Sequence, residues 1–432
     1  MKQLCINSLV VGFALFSMFF GAGNIIFPPY VGLAAGSDWF MGFLCYYMAD
    51  VGLAMLAVFA MLRTESIGKV ESIMVRLGNI PAKAMMIAIV TCIGPLLAMP
   101  RTAATTFSMT LAPFLGGDNI VASVIFSAIF FALTLVFACR ESALVDIVGR
   151  YLTPLLVIGL MLMITLGVLS PIGPINATPQ IDNVAWMGIS AGYQTLDVLA
   201  IIVFGLLVVN AMKARGYSSA RMKFISVGLA SIVAGITLFI VYLGLCYLGA
   251  TASTLYPEDV DKGLFVMAIS GRIFGSIGAF VLSIVIGLAC LTTAIALAGS
   301  MGTFFSTLTD GKISYRNATI FSCVFSAVVA NFGLNSIIQL AAPILTIVYP
   351  GVLAVIVLSL FDKKIKNDNV FRMAAAGAMA VSFCEVMSGY WPDIFNFIDV
   401  LPMQDYGFGW IVPAAVCGCL GSLITTPKKQ AA

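Results

Sequence analysis

The sequence contains no histidine, and that absence removes several functions at once. Imidazole proton relays, histidine metal sites and serine–histidine nucleophiles are all excluded. Charge is scarce as well: 9% of the 432 residues are Asp, Glu, Lys or Arg, against roughly 25% in a soluble domain. No glycine-rich phosphate loop ending in Lys and Ser or Thr is present, so nucleotide-driven chemistry has no motif to rest on. Strand-period alternation does not recur, which argues against a transmembrane barrel. The first apolar segment is long and has no small-residue cleavage site, so it is expected to remain as a spanning helix. The ten cysteines are scattered through apolar runs, and the closest pair, Cys417 and Cys419, lacks the spacing of a metal knuckle. They read as small packing residues.

What is present is hydrophobic: 61% of the chain. Twelve apolar segments can be marked, at about 5–35, 38–62, 82–112, 119–138, 151–170, 186–211, 224–250, 277–307, 318–334, 336–361, 371–391 and 408–425. About 20 apolar residues cross a bilayer as a helix, so the fold class is an all-α integral membrane bundle of about 12 helices. With the N-terminus inside, all but three of the 22 Lys and Arg residues fall in cytoplasmic connections; the exceptions are Arg101, Lys262 and Arg272. The opposite connections are acidic, with Glu258, Asp259, Asp393 and Asp399 among them. That asymmetry predicts an even helix count with both termini cytoplasmic. Within the long connection 250–276, the semi-polar stretch Gly263 to Gly275 either lies along the membrane surface or is a solvated loop. The turn holding Arg140, Glu141, Asp146 and Arg150 reads as a solvated charged loop.

The first segment carries the most telling pattern: Phe20-Gly21-Ala22-Gly23-Asn24, then Pro28-Pro29 four residues on. Glycine weakens a helix, and proline removes an amide donor and clashes with the preceding turn. A helix broken in mid-membrane is expected. Such a break exposes amides at the start of one half-helix and carbonyls at the end of the other, and these must face protein or a polar cavity. Amides at a half-helix N-terminus suit a carboxylate, and free carbonyls suit a cation.

Segment six repeats the theme, with Gln194, Thr195 and Asp197 inside an otherwise apolar span. Buried ionisable groups in a membrane mark function by default; the plainer reading is an intact helix with a polar packing face. Five spans separate the two special segments. The second unit therefore starts from the opposite side of the membrane, as in an inverted repeat of five plus five helices. The repeats would be 5–170 and 186–361 within a single transport domain 1–432, with 371–425 as two additional helices. On segment eight, Ala289, Thr292 and Thr293 share one helix face. Their oxygens could hold a hard cation with carbonyls from the first half-helix, or the hydroxyls could simply bond their own backbone. Arg101, late in segment three, reads either as a gate or substrate anchor or as a structural ion pair, with Asp50 and Glu385 as candidate partners. Tyr349-Pro350-Gly351 is expected to kink segment ten.

Three stretches then resemble one family. Phe20-Gly21-Ala22-Gly23-Asn24-Ile25-Ile26-Phe27-Pro28-Pro29, Gly94-Pro95-Leu96-Leu97-Ala98-Met99-Pro100-Arg101-Thr102-Ala103-Ala104-Thr105, and Gly192-Tyr193-Gln194-Thr195-Leu196-Asp197 with Phe204-Gly205 look like signatures of the bacterial branched-chain amino acid:cation symporters. That family is similar to the wider amino acid–polyamine–organocation superfamily, whose shared architecture resembles the sodium-coupled leucine transporters. The resemblance implies no enzyme and no resident cofactor or nucleic-acid partner. It implies import of leucine, isoleucine or valine across the bacterial inner membrane, coupled to sodium, within membrane lipid. Substrate would meet Gly21, Ala22, Gly23, Asn24, Tyr193, Gln194 and Thr195. Sodium would meet the carbonyls of Ser17, Phe20 and Ala289 and the hydroxyls of Thr292 and Thr293, with Asn24 and Thr195 at a second site. Asp197 stands where that architecture has a small hydroxyl residue, which opens a proton-coupled alternative. A channel would show a polar stripe repeated around an oligomer. A membrane enzyme would have to rest on Asp197, Glu385 or a cysteine.

Overall fold

The structure is a computed structural model, and it describes residues 2–64, 72–112, 115, 119–139, 153–217, 219–260 and 262–424. Among them every element is helical. The charged turn at Arg140 to Arg150 lies outside the described residues.

The first segment is two helices, α1 (Lys2–Phe19) and α2 (Ala22–Ala35). The break falls at Phe20–Gly21, where Gly21 is extended (φ −110°, ψ −160°). Pro28 and Pro29 do not form the break; they lie inside α2. The second segment is α3 (Trp39–Tyr47) and α4 (Leu53–Arg63), joined by a wide π turn, Met48–Gly52. Such turns insert an extra residue and often sit at functional sites. The third is α5 (Asn79–Thr91) and α6 (Ala98–Thr110) around a second π turn that departs from helical geometry at Gly94. Then come α7 (Ile120–Ala138) and α8 (Thr153–Leu169).

Segment six is also broken, into α9 (Val184–Tyr193) and α10 (Asp197–Ala214). No glycine marks the joint: Leu196 itself adopts the left-handed conformation, φ +74°, rare for a bulky residue and typical of functional strain. Next, α11 (Ala220–Ala250) precedes α12 (Lys262–Leu308). The latter turns sharply at Gly275, φ +62°, so the stretch from Gly263 is helix rather than loop. The remaining helices are α13 (Tyr315–Val329), α14 (Leu334–Ser359), α15 (Asp368–Ser388), the one-turn α16 (Pro392–Phe395) and α17 (Ile411–Leu423). Pro350 sits inside α14, which stays helical through it. Each of the twelve expected segments is therefore helical. Seven described spans are long and apolar enough to cross a membrane, with shorter apolar helices beside them.

The chain forms two compact units, 1–55 with 91–338, and 56–90 with 339–432. In the first, α1 and α2 pack against α11, α9 against α3, and α6 against α12. Its core holds Phe16, Phe19, Phe20, Phe43, Tyr46, Phe204 and Tyr242, all essentially inaccessible. Glycines set the helix spacing. A Cβ on Gly249 of α11 would overlap the Pro29 carbonyl of α2, and one on Gly32 would overlap the Cys246 carbonyl. Backbone cannot step aside as a side chain can, so Gly249→Val should leave little monodisperse protein after detergent extraction. Gly228→Val, on the same helix but with nothing within 4 Å of its Cβ position, should extract at wild-type yield. Equal yields of the two variants on size-exclusion chromatography would contradict this account of α2–α11 packing.

In the second unit, Arg76 gathers the chain. Its guanidinium pairs with Asp362 at 3.0 Å and Asp368 at 2.7 Å, donates to the Ile365 carbonyl and lies over the Phe371 ring.

Candidate functional site

The two breaks meet at one cavity. The space, about 30 Å³, is lined by Met18, Phe19, Gly21, Ala22, Asn24, Ile93, Ala98, Arg101, Thr102, Thr195, Leu196, Asp197, Ala200, Phe204, Thr293 and Leu297. That is room for a water molecule or two, so an amino acid enters only as the walls move apart. Its wall is divided. Met18, Phe19, Ile93, Ala200, Phe204 and Leu297 give an apolar side. The start of α2, Asn24, Arg101, Thr195, Asp197 and Thr293 give a polar one.

The polar side follows from the breaks. The first amides of α2, on Ala22 and Gly23, have no partner within the helix. Gly21 N–H is capped by Asn24 Oδ1 at 3.3 Å. The other end of the Asn24 amide donates to Asp197 Oδ2 at 3.0 Å, Tyr242 Oη at 2.5 Å and, at the limit, Asp50 Oδ2 at 3.5 Å. Thr195 donates to Asp50 Oδ1 at 2.8 Å and to the Gly192 carbonyl at 2.6 Å. Asp50 is thus tied to both broken helices. It is 0% exposed and Asp197 is 4% exposed, burial that a carboxyl group tolerates only with such partners. Asp197 also opens α10, where the helix dipole favours negative charge.

Arg101 sits in the first turn of α6 and reaches the cavity. Its Nη1 donates to the Gln194 carbonyl at 3.2 Å, while its Nε is enclosed with no hydrogen-bond partner. Among the described residues no carboxylate lies within 4 Å of it. Of its two candidate partners, Asp50 is engaged instead by Thr195 and Asn24.

A second oxygen cluster lies beside the first break. Thr292 Oγ1 donates to the carbonyls of Ser17 (3.1 Å) and Ala289 (3.0 Å), and Thr293 Oγ1 to that of Ser17 (3.3 Å). Ser17 Oγ is buried there with no partner. Phe20 stacks between Phe16 and Tyr242, at 5.4 and 6.0 Å. Of the sequence-derived residues, Gly21, Ala22, Asn24, Thr195, Arg101, Asp197 and Thr293 line the cavity directly. Gly23 faces Arg101: a Cβ there would lie 3.3 Å from Nη2. Gln194 contributes its carbonyl, and Tyr193 ends α9 outside the lining. Asp50 and Tyr242 were missed as site residues. Asp50 was visible as a lone acid in the middle of an apolar span, the default sign of function. Tyr242 carried no signal, being one aromatic among many in segment seven.

Residues 5–428 match the family described as Branched-chain amino acid transport protein. The chain is 33% identical over 439 residues to Branched-chain amino acid permease BraB of Bacillus subtilis, covering 98% of this chain and 97% of the relative. It is 34% identical over 444 residues to a putative branched-chain amino acid carrier protein of Staphylococcus aureus, covering 98% of each. Among solved structures it is similar to a Na+-coupled sialic acid symporter in a substrate-bound outward-open state: TM-score 0.66, 13% identity, 98% of this chain and 91% of the other. MhsT in complex with L-phenylalanine gives TM-score 0.56 and 18% identity over 96% and 98%. These structural likenesses concern the fold alone.

Proposed function

Because the chain belongs to the branched-chain amino acid transport protein family, we propose that it is a symporter that imports leucine, isoleucine and valine with sodium across the cell membrane, both termini in the cytoplasm. The observation that carries the reading is the divided wall of the cavity at the two helix breaks. A branched-chain amino acid is a zwitterion with a short aliphatic side chain. Its carboxylate fits the amides of Ala22 and Gly23, with Arg101 alongside. Its ammonium fits Asp197. Its side chain fits the apolar side formed by Met18, Ile93, Phe204 and Leu297.

The coupling ion is assigned by donor chemistry. Ser17, Ala289, Thr292 and Thr293 offer only oxygens, which suit a hard monovalent cation, and the unpartnered Ser17 Oγ is an oxygen available for one more bond. To accept a cation, the two threonine hydroxyls turn their protons away from the carbonyls they now meet. Sodium there draws the end of α1 toward α12 and fixes the amides of the break for the carboxylate. Ion and substrate then favour each other reciprocally, by typically about 1–3 kcal/mol. Asn24 and Thr195 would belong to a second cation position. A proton reading is favoured by one observation: Asp50 and Asp197 both meet the Asn24 amide.

Uptake of labelled leucine into proteoliposomes tests this. An inward sodium gradient at equal pH should drive accumulation against the leucine gradient. Thr292 is fully buried and outside the substrate lining. Thr292→Val should therefore raise half-maximal sodium by roughly tenfold, within the coupling range above, and leave the ranking of leucine, isoleucine and valine unchanged. Accumulation driven by a pH gradient and indifferent to sodium would replace the sodium assignment with the proton reading.

A further inference from the structure

A groove in the second unit, about 730 Å³ in volume, takes no part in the transport site. Helices α14, α15 and α17 form it. One face of α17 lines it with small side chains, Ala414, Ala415, Gly418, Cys419 and Ser422, spaced at helical intervals. Ala374 and Val370 of α15 form the floor. The face is shallow because these residues are small, so a long apolar trough is left open beside them.

The two ends of the trough differ. Trp410 stands at one, before the first residue of α17. Lys364 and Lys366 stand at the other, beside Ser422. That end is held firmly: Asn367 Nδ2 donates to the carbonyls of Gly421 (3.2 Å) and Ile424 (2.8 Å), tying the start of α15 to the end of α17. The neighbouring acids do not neutralise the lysines. Asp362 and Asp368 flank them in sequence, and both are taken by Arg76. Among the described residues no carboxylate lies within 4 Å of either lysine. Both side chains are exposed. The thirteen residues of α17 rise about 20 Å, comparable with the roughly 15 Å hydrocarbon depth of one leaflet, half of about 30 Å.

We propose that this groove binds an anionic phospholipid, with one acyl chain along the small-residue face of α17 and the phosphate at Lys364 and Lys366. The charge pattern selects the occupant. An apolar trough alone would take any acyl chain, and a second protein copy would need no cation at one end. Two uncompensated ammonium groups at the end of an acyl-length groove match an anionic headgroup at the bilayer interface. The inference does not depend on which ion or amino acid is carried.

Native mass spectrometry of the detergent-purified chain tests it, using an equimolar mixture of phosphatidylglycerol and phosphatidylcholine. The wild type should retain phosphatidylglycerol at least fivefold over phosphatidylcholine. Lys364→Ala with Lys366→Ala should bring the two to parity. Ala415→Trp, a substitution at an exposed position on the groove wall, should lower retention of both lipids. All three positions are exposed, so folding should be unaffected, and an unchanged melting temperature in lipid-free detergent checks that. An unchanged lipid preference in the double lysine variant would overturn the proposal. So would full phosphatidylglycerol retention in Ala415→Trp, or a dimer that disappears in Ala415→Trp while lipid binding persists.

Discussion

Gly23→Leu should abolish leucine binding while leaving the protein folded. The position opens the second half of the first broken helix, and its missing Cβ would stand 3.3 Å from Arg101 Nη2 and 3.4 Å from the Phe27 ring. Those distances are tight but bearable for a methyl group. Leucine adds three further carbons in the direction of the guanidinium and must displace it. The proposed carboxylate site then loses its cation and the close approach of its amides. Each hydrogen bond to a charged group contributes about 1.5–3 kcal/mol, so losing one costs roughly ten- to hundredfold in affinity and losing two removes measurable binding. Gly23→Ala should cost less than tenfold, because the neighbouring side chain can give way slightly. The same contrast holds at Gly21, where the Cβ would lie 3.0 Å from Thr293 Oγ1. Scintillation proximity binding on purified protein measures all four variants. Wild-type leucine affinity in Gly23→Leu would falsify the assignment of the α2 amides to the substrate.

Asp50→Leu should be the most damaging single change to the site that does not touch the cavity lining. Asp50 accepts from Thr195 of the second break and Asn24 of the first, so its loss removes a side chain that ties the two breaks, leaving Thr195 the Gly192 carbonyl and Asn24 its bonds to Asp197 and Tyr242. Losing a buried hydrogen-bond partner costs about 1–3 kcal/mol. The expected result is a melting temperature lowered by several degrees and leucine uptake reduced at least hundredfold. Asp50→Asn keeps an oxygen for Thr195 and should recover most of the stability. It sets a second amide against that of Asn24, so uptake should remain impaired. A double-mutant cycle with Thr195→Val separates the link to the second break from general packing. Independent, additive effects of the two substitutions would show that Asp50 does not couple the breaks.

Much of this protein is legible in one dimension. In a bilayer, each spanning segment must satisfy its own backbone, so apolar runs translate into helices with little choice. That is why the twelve segments appear where hydropathy put them. Composition also fixes what is absent, and the glycine pattern of the first segment locates its break within a few residues. The break itself lies at Phe20–Gly21, ahead of the prolines, which stay inside α2.

Other features were decided in three dimensions. The second break has no glycine at its joint: Leu196 is held left-handed by its surroundings, which no local preference of leucine foretells. Arg101 could be paired on paper with any buried acid, yet it takes the Gln194 carbonyl and faces the cavity. Asp50 lies 147 residues before Asp197 in the numbering (197 minus 50), and only packing of α3 and its π turn against α9 and α10 brings both to Asn24. Hydropathy determines which residues enter the membrane, because transfer from water is a property of each segment alone. Which polar groups meet inside it depends on how helices distant in sequence cross, and that is set by small contacts such as Gly249 against Pro29.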